Sequence, residues 1–122
     1  MGKRERDVEA LKERMKRFGL AIMRLAEKLP ASRTARIIET QMVKSGTSAG
    51  ANYRAACRAR SKADFVSEMG IVEEELDEKL YWLEVSLEAG FLSRLEVNDL
   101  LREGNKLLAI AVSSIRTAKS RP

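Results

Sequence analysis

The chain has 122 residues, 44% hydrophobic and 34% charged, with a formal net charge of +5, a single cysteine and no histidine. That is the size and balance of one folded domain around one core, not of a disordered chain. Without an imidazole there can be no Ser-His-Asp triad, no Cys/His zinc site and no di-iron site built on Glu-x-x-His. The lone Cys57 excludes an intrachain disulfide, so a reducing cytoplasm is the expected home. No apolar run is long enough to span a bilayer and the N-terminus MGKRERDVEALKER lacks a signal-peptide core, so no membrane partner is expected.

Four helical patterns follow one another. Val8, Leu11, Met15, Phe18, Ile22, Leu25 and Leu29 alternate steps of three and four, which predicts a first helix over 5–29 that stops before Pro30. Ser32 is the expected N-cap of a second helix over 33–60. Ser61, with Asp64 three residues on, caps a third over 62–89, whose stripe is Phe65, Met69, Val72, Leu76, Leu80, Leu83 and Leu87. Gly90 is expected to close it in the left-handed conformation. Ser93 and Glu96 form a capping box for the fourth, over 94–118, with Val97, Leu101, Gly104, Leu108, Ala111, Ile115 and Ala118 in heptad steps. No stretch keeps a period of two. Short connections between long helices force antiparallel neighbours, so the expected fold is all-α: residues 1–122 as a single up-down-up-down four-helix bundle.

Inside the second helix, Gly46-Thr47-Ser48-Ala49-Gly50 reads as G-x-S-x-G, the signature of a nucleophile elbow. That motif needs a strand before the turn and a base beside the serine. Here it lies in a helical pattern in a chain without histidine, so no catalytic residue is expected and the chain is read as no enzyme. Gly46 and Gly50 are four apart and share one helix face. Each costs about 1 kcal/mol relative to alanine. Close approach of another helix would offset that cost. A bend is the other reading, because Ser45, Thr47 and Ser48 can bond back to preceding carbonyls.

The run from Gln41 to Phe65, centred on Ser45-Gly46-Thr47-Ser48 and Gly50-Ala51-Asn52-Tyr53-Arg54, is joined by Gly70 to Glu78, Tyr81-Trp82-Leu83-Glu84 and Gly90-Phe91-Leu92-Ser93. Together these closely resemble the bacterial four helix bundle protein family, also called the ribosomal RNA intervening-sequence protein family, over residues 8–118. The resemblance implies a four-helix protomer, a homopentamer and no established enzymatic activity. A related branch, accessory proteins of diversity-generating retroelements, consists of basic pentamers that bind nucleic acid and a reverse transcriptase. This chain has no clear match to that branch's own pattern.

Charge is unevenly spread. Residues 1–36 carry eleven basic and five acidic side chains, whereas residues 63–90 carry one and nine. Glu74 and Glu78 lie one turn apart, a spacing that would suit a carboxylate metal site. With no matching pair on another helix, no metal and no cofactor is expected. The expected packing or oligomer contacts are Gly46, Ser48, Gly50, Asn52, Tyr53, Arg54, Arg58, Glu74, Glu78 and Trp82. Tyr and Trp are good interface anchors because they bury a large area and keep a polar end.

Lys3, Arg4, Arg6, Lys12, Arg14, Lys16 and Arg17 crowd the first helix, and Arg116, Lys119 and Arg121 end the fourth. An antiparallel bundle brings the two ends to one pole, where a ring of copies would build a field that attracts phosphate backbones. Aromatic residues are scarce, at 5%, which speaks against base-specific reading of single strands. The expected partners are therefore further copies of the chain, RNA or DNA held without sequence preference, or another protein.

Overall fold

A computed structural model describes residues 2–122 as four helices, α1 (Lys3–Ala26), α2 (Arg33–Cys57), α3 (Lys62–Glu88) and α4 (Arg94–Ser120), with no strand among the described residues. Each of the last three starts on a serine whose hydroxyl accepts a backbone N–H. Ser32 takes that of Ala35 at 3.1 Å, Ser61 that of Asp64 at 3.1 Å and Ser93 that of Glu96 at 3.3 Å. Only at Ser93 does the carboxylate answer, as Glu96 Oε1 accepts from the Ser93 N–H at 2.9 Å. Each such cap contributes about 1 kcal/mol.

The first two helices end sooner than their apolar stripes suggest. After Ala26 the chain tightens into i→i+3 bonds (Lys28 N–H to Leu25 O and Leu29 N–H to Ala26 O), which turn it while Leu29 stays buried. The same happens after Cys57, where Arg58 and Ala59 bond back to Ala55 and Ala56. The end of α3 is a Schellman motif. Gly90 adopts φ +77°, its N–H reaches Leu87 O and that of Phe91 reaches Ser86 O.

The helices pack in the cyclic order α1–α2–α3–α4, the backbones of the diagonal pairs α1/α3 and α2/α4 stay apart, and the α1–α4 seam is the thinnest. This is an antiparallel four-helix bundle. Its core is Met15, Phe18 and Ile22 from α1, Ile38 and Met42 from α2, Met69, Val72, Leu76 and Leu83 from α3, and Val97 and Leu107 from α4. Burying each contributes roughly 1.5–3 kcal/mol. On α4 the stripe is displaced from strict heptad steps, so Leu107 is fully buried while Leu108 is only partly so. None of the helices is long and apolar enough to cross a membrane among the described residues.

Candidate functional site

The glycine run lies in the middle of α2, which is helical without a break from Arg33 to Cys57. Ser48 is therefore on a helix and not on a strand–turn–helix elbow. Its hydroxyl donates back to Ser45 O at 3.4 Å, and Ser45 donates to Gln41 O at 2.9 Å. Gly46 meets Gly19 of α1. A Cβ on Gly19 would run into the Gly46 carbonyl oxygen, and one on Gly46 would come within 3.0 Å of Ile22 Cγ2. Gly50 is less constrained, since an added Cβ would make ordinary contacts at 3.8 Å with Met15 and Lys16.

From α3 a lysine enters this crossing. Lys79 is 1% exposed, its Nζ donates to Gly46 O at 3.1 Å and lies 4.8 Å from the centre of the Phe18 ring. Burial lowers its pKa to about 8, against a smaller opposing pull from Glu75. Glu75 in turn accepts from Asn52 Nδ2, which also donates to Ser48 O at 3.0 Å. Two polar links thus join α2 to α3 beside the core, the Lys79 amine to the Gly46 carbonyl and the Asn52 amide to the Glu75 carboxylate. With its amine sealed from solvent, Lys79 has no access to a substrate.

Neither Lys79 nor Gly19 was marked by the apolar pattern. One signal was there. Strict steps of four and three from Phe65 land on Lys79 and Ser86, both buried, one residue before Leu80 and Leu87. Leu80 is nonetheless buried as well, over Gly104 of α4, where an added Cβ would lie 2.7 Å from Leu80 Cδ2 and 3.0 Å from Phe18 Cζ.

The other predicted contact residues are scattered. Tyr53 is buried, and its hydroxyl pKa is raised by burial and by hydrogen bonding with Cys57. Arg54, Glu74 and Glu78 are exposed on their helices, and Arg58 is exposed just past the end of α2. Trp82 is half-buried and meets exposed Tyr81 edge to face at 5.1 Å, and its indole N–H is buried with no acceptor among the described residues. Arg54 borders a shallow cleft of about 490 Å³ between α1 and α2, flanked by the exposed Leu20 and Met23.

The antiparallel order gathers Lys3, Arg4 and Arg6 with Arg116, Lys119 and Arg121 at one pole, joined by Arg58, Arg60 and Lys62 from the α2–α3 turn, and all nine are exposed. Lys3 pairs with Asp7 at 3.5 Å, and the cations higher on α1 are paired too. Lys12 bonds Glu9 at 3.0 Å, while Lys16 and Arg17 share Glu13 at 3.1 and 3.7 Å. Arg14 differs from its neighbours. It grips Glu103 of α4 in a two-pronged pair at 2.8 and 2.9 Å, which raises the Arg14 pKa and holds that of Glu103 below the usual carboxylate range. Nothing in the sequence linked these two residues, which lie on different helices. All four helices line a second cleft at the same pole, of about 910 Å³, reaching from Arg4 and Arg121 to Ile110.

Residues 6–113 match the sequence model of the family described as 23S rRNA-intervening sequence protein, and the chain belongs to that family. It is also similar to a crystal structure from Bacteroides thetaiotaomicron, a protein with unknown function from the S23 ribosomal protein family. The identity is 28% and the TM-score 0.80, over 86% of this chain and 97% of that one. No curated protein matches the chain.

Proposed function

We propose that this member of the 23S rRNA-intervening sequence protein family works without enzymatic chemistry in the cytoplasm. It is a homo-oligomeric helical scaffold, a pentamer as its resemblance implies, and its basic pole holds RNA or DNA through the phosphates. The observation that carries the reading is the pole itself, where nine exposed cations from three parts of the chain lie among only three acids, Glu5, Asp7 and Asp64. Phosphate contacts of this kind position a nucleic acid without reading its bases. Repeating the pole around a ring multiplies the field. Self-association is supported by large apolar side chains left on the outer faces, namely Leu20, Met23, Ile37, Ile71 and Tyr81.

Native mass spectrometry tests the assembly. A clean monomer at micromolar concentration overturns it. Anisotropy titrations at two salt concentrations test the pole: affinity should fall steeply with salt and depend little on base sequence. Replacing Arg58, Arg60, Arg116 and Lys119, all exposed at the pole, by glutamine should weaken binding to all sequences alike and flatten the salt slope.

The same exposed apolar residues favour a second reading, a protein-interaction module with no nucleic-acid role. A protein partner recovered from the source cell that survives nuclease treatment, with no binding to any duplex or single strand at low salt, would replace the first reading with this one.

A further inference from the structure

The cleft at the basic pole has a chemistry that phosphate contacts do not use. Much of its lining is apolar, with Val8 of α1, Phe65 of α3, and Ile110 and Ala118 of α4, while Ser113, Ser114 and Thr117 add hydroxyls along α4. Arg4, Lys62 and Arg121 line the cleft towards the pole, and no acidic side chain does. The cations are grouped rather than spread along the groove. Arg4 is in the first turn of α1, Lys62 opens α3 and Arg121 follows the last turn of α4. Ile110 lies eleven residues further back on α4, about 16 Å along the helix axis at 1.5 Å per residue.

Of the three, Lys62 is tied down. Its Nζ donates to the backbone oxygen of Arg121 at 2.6 Å, which closes one corner of the cleft and leaves the remaining ammonium protons directed elsewhere. Arg4 and Arg121 have no ion-pair partner among the described residues. Three positive groups at one end of a largely apolar slot complement a molecule with one negative end and a long apolar body. A nucleic acid backbone would use the cations and leave the slot empty. An acidic helix would call for cations along both rims.

We propose that this cleft binds a free long-chain fatty acid, with the carboxylate at Arg4, Lys62 and Arg121 and the chain running along the cleft towards Ile110. The site lies at the pole where nucleic acid is proposed to bind but does not depend on that binding. Cavities of this size, mostly apolar with a few convergent polar groups, are the usual form of small-ligand sites. Each methylene taken out of water contributes to binding, and the charge-assisted bonds to the cations select the ionised head.

Cys57 lines the cleft and is the only thiol, so its alkylation by a neutral reagent reports occupancy. Dodecanoate, kept below its micelle concentration, should slow the labelling of the full chain about tenfold at ten times its Kd. Acetate should not slow it at all. Dodecanol should bind about tenfold more weakly, as should dodecanoate to the Arg4→Gln, Arg121→Gln variant. Thr117→Trp, at an exposed position lining the cleft, should abolish protection while leaving the circular dichroism unchanged. Ala118→Leu serves if that variant misfolds, and calorimetry with dodecanoate provides a second readout. No heat and no protection in the folded wild-type chain overturns the proposal. Equal binding of dodecanol overturns the role given to the cations. Protection by single-stranded DNA but not by dodecanoate assigns the cleft to nucleic acid instead.

Discussion

At mid-height in the bundle small residues let a neighbouring backbone or a large side chain come close, whereas at the basic pole small residues help to line an open cleft. Gly104 lies beneath Leu80 and Phe18, and Gly46 beneath Ile22 and Lys79, so the space that each glycine vacates is filled. At the pole Ala56, Ala59, Ser113, Ser114 and Ala118 line part of a cleft of about 910 Å³, beside Val8, Tyr53, Phe65 and Ile110. The chain uses small side chains in both places. In one they bring backbones together, and in the other they hold space open. What decides is how closely the neighbouring helix approaches and what it places opposite, not the glycine or alanine itself.

That contrast can be broken by adding atoms to each region. Gly19→Ala places a methyl against a backbone carbonyl that cannot rotate away. The helix-propensity gain of about 1 kcal/mol is outweighed, and urea unfolding should show a net loss of about 3 kcal/mol. Gly50→Ala, on α2 one turn beyond Gly46 and with room for its Cβ, should instead stabilise by up to about 1 kcal/mol. Thr117→Trp at the open pole should stay within about 0.5 kcal/mol of wild type. A large loss at the pole, or none at Gly19, would erase the distinction.

The buried amine sharpens the comparison through pH. The pKa of Lys79 falls to about 8 in the folded chain from an ordinary 10.5, so between these values the unfolded state holds the extra proton. Stability should therefore rise as pH increases through this window, by an amount on the order of 2 kcal/mol between pH 8 and pH 10. Above pH 10 Tyr53 works the other way, because its hydroxyl ionises less readily folded than unfolded. Thermal melts of wild type and Lys79→Met across this range test the point. The methionine variant should lack the rise and should be no less stable than wild type at pH 7, since it removes a buried charge without leaving a partner charge in the core. Parallel pH profiles for the two proteins would show that Lys79 is not the cause.

Smaller effects divide the cations of α1. Arg14→Gln breaks the clasp to Glu103 across the thinnest seam. Both side chains are partly exposed, at 40% and 30%, so the loss should be about 1 kcal/mol. Because Glu103 is held below its ordinary pKa of 4.5 by Arg14, the clasp's contribution is present above that pH and fades as acid protonates the carboxylate. Lys16→Gln with Arg17→Gln, which touch only Glu13 on their own helix, should change stability by less than about 0.5 kcal/mol. Ser48→Ala should be quieter still by the same denaturation assay, since that hydroxyl makes only a long bond to Ser45 O.

The sequence by itself determined the four helices, the serine caps at Ser32, Ser61 and Ser93, the left-handed Gly90 and, through short connections, the antiparallel order. These depend on interactions within a few residues, so a linear reading contains them. The rotation of each helix about its axis was decided only by tertiary packing. It chose Leu107 over Leu108, put Lys79 inside while Glu74 and Glu78 stayed out, and joined Arg14 to Glu103. On α3 an apolar stripe one residue wide or two gives nearly the same sequence pattern, and the neighbour's surface selects between them. For the same reason the glycine run announced a close approach without naming Gly19 as its counterpart. The closed crossing and the open pole each depend on what stands opposite, and residues far apart in the chain become opposite only when the bundle has formed.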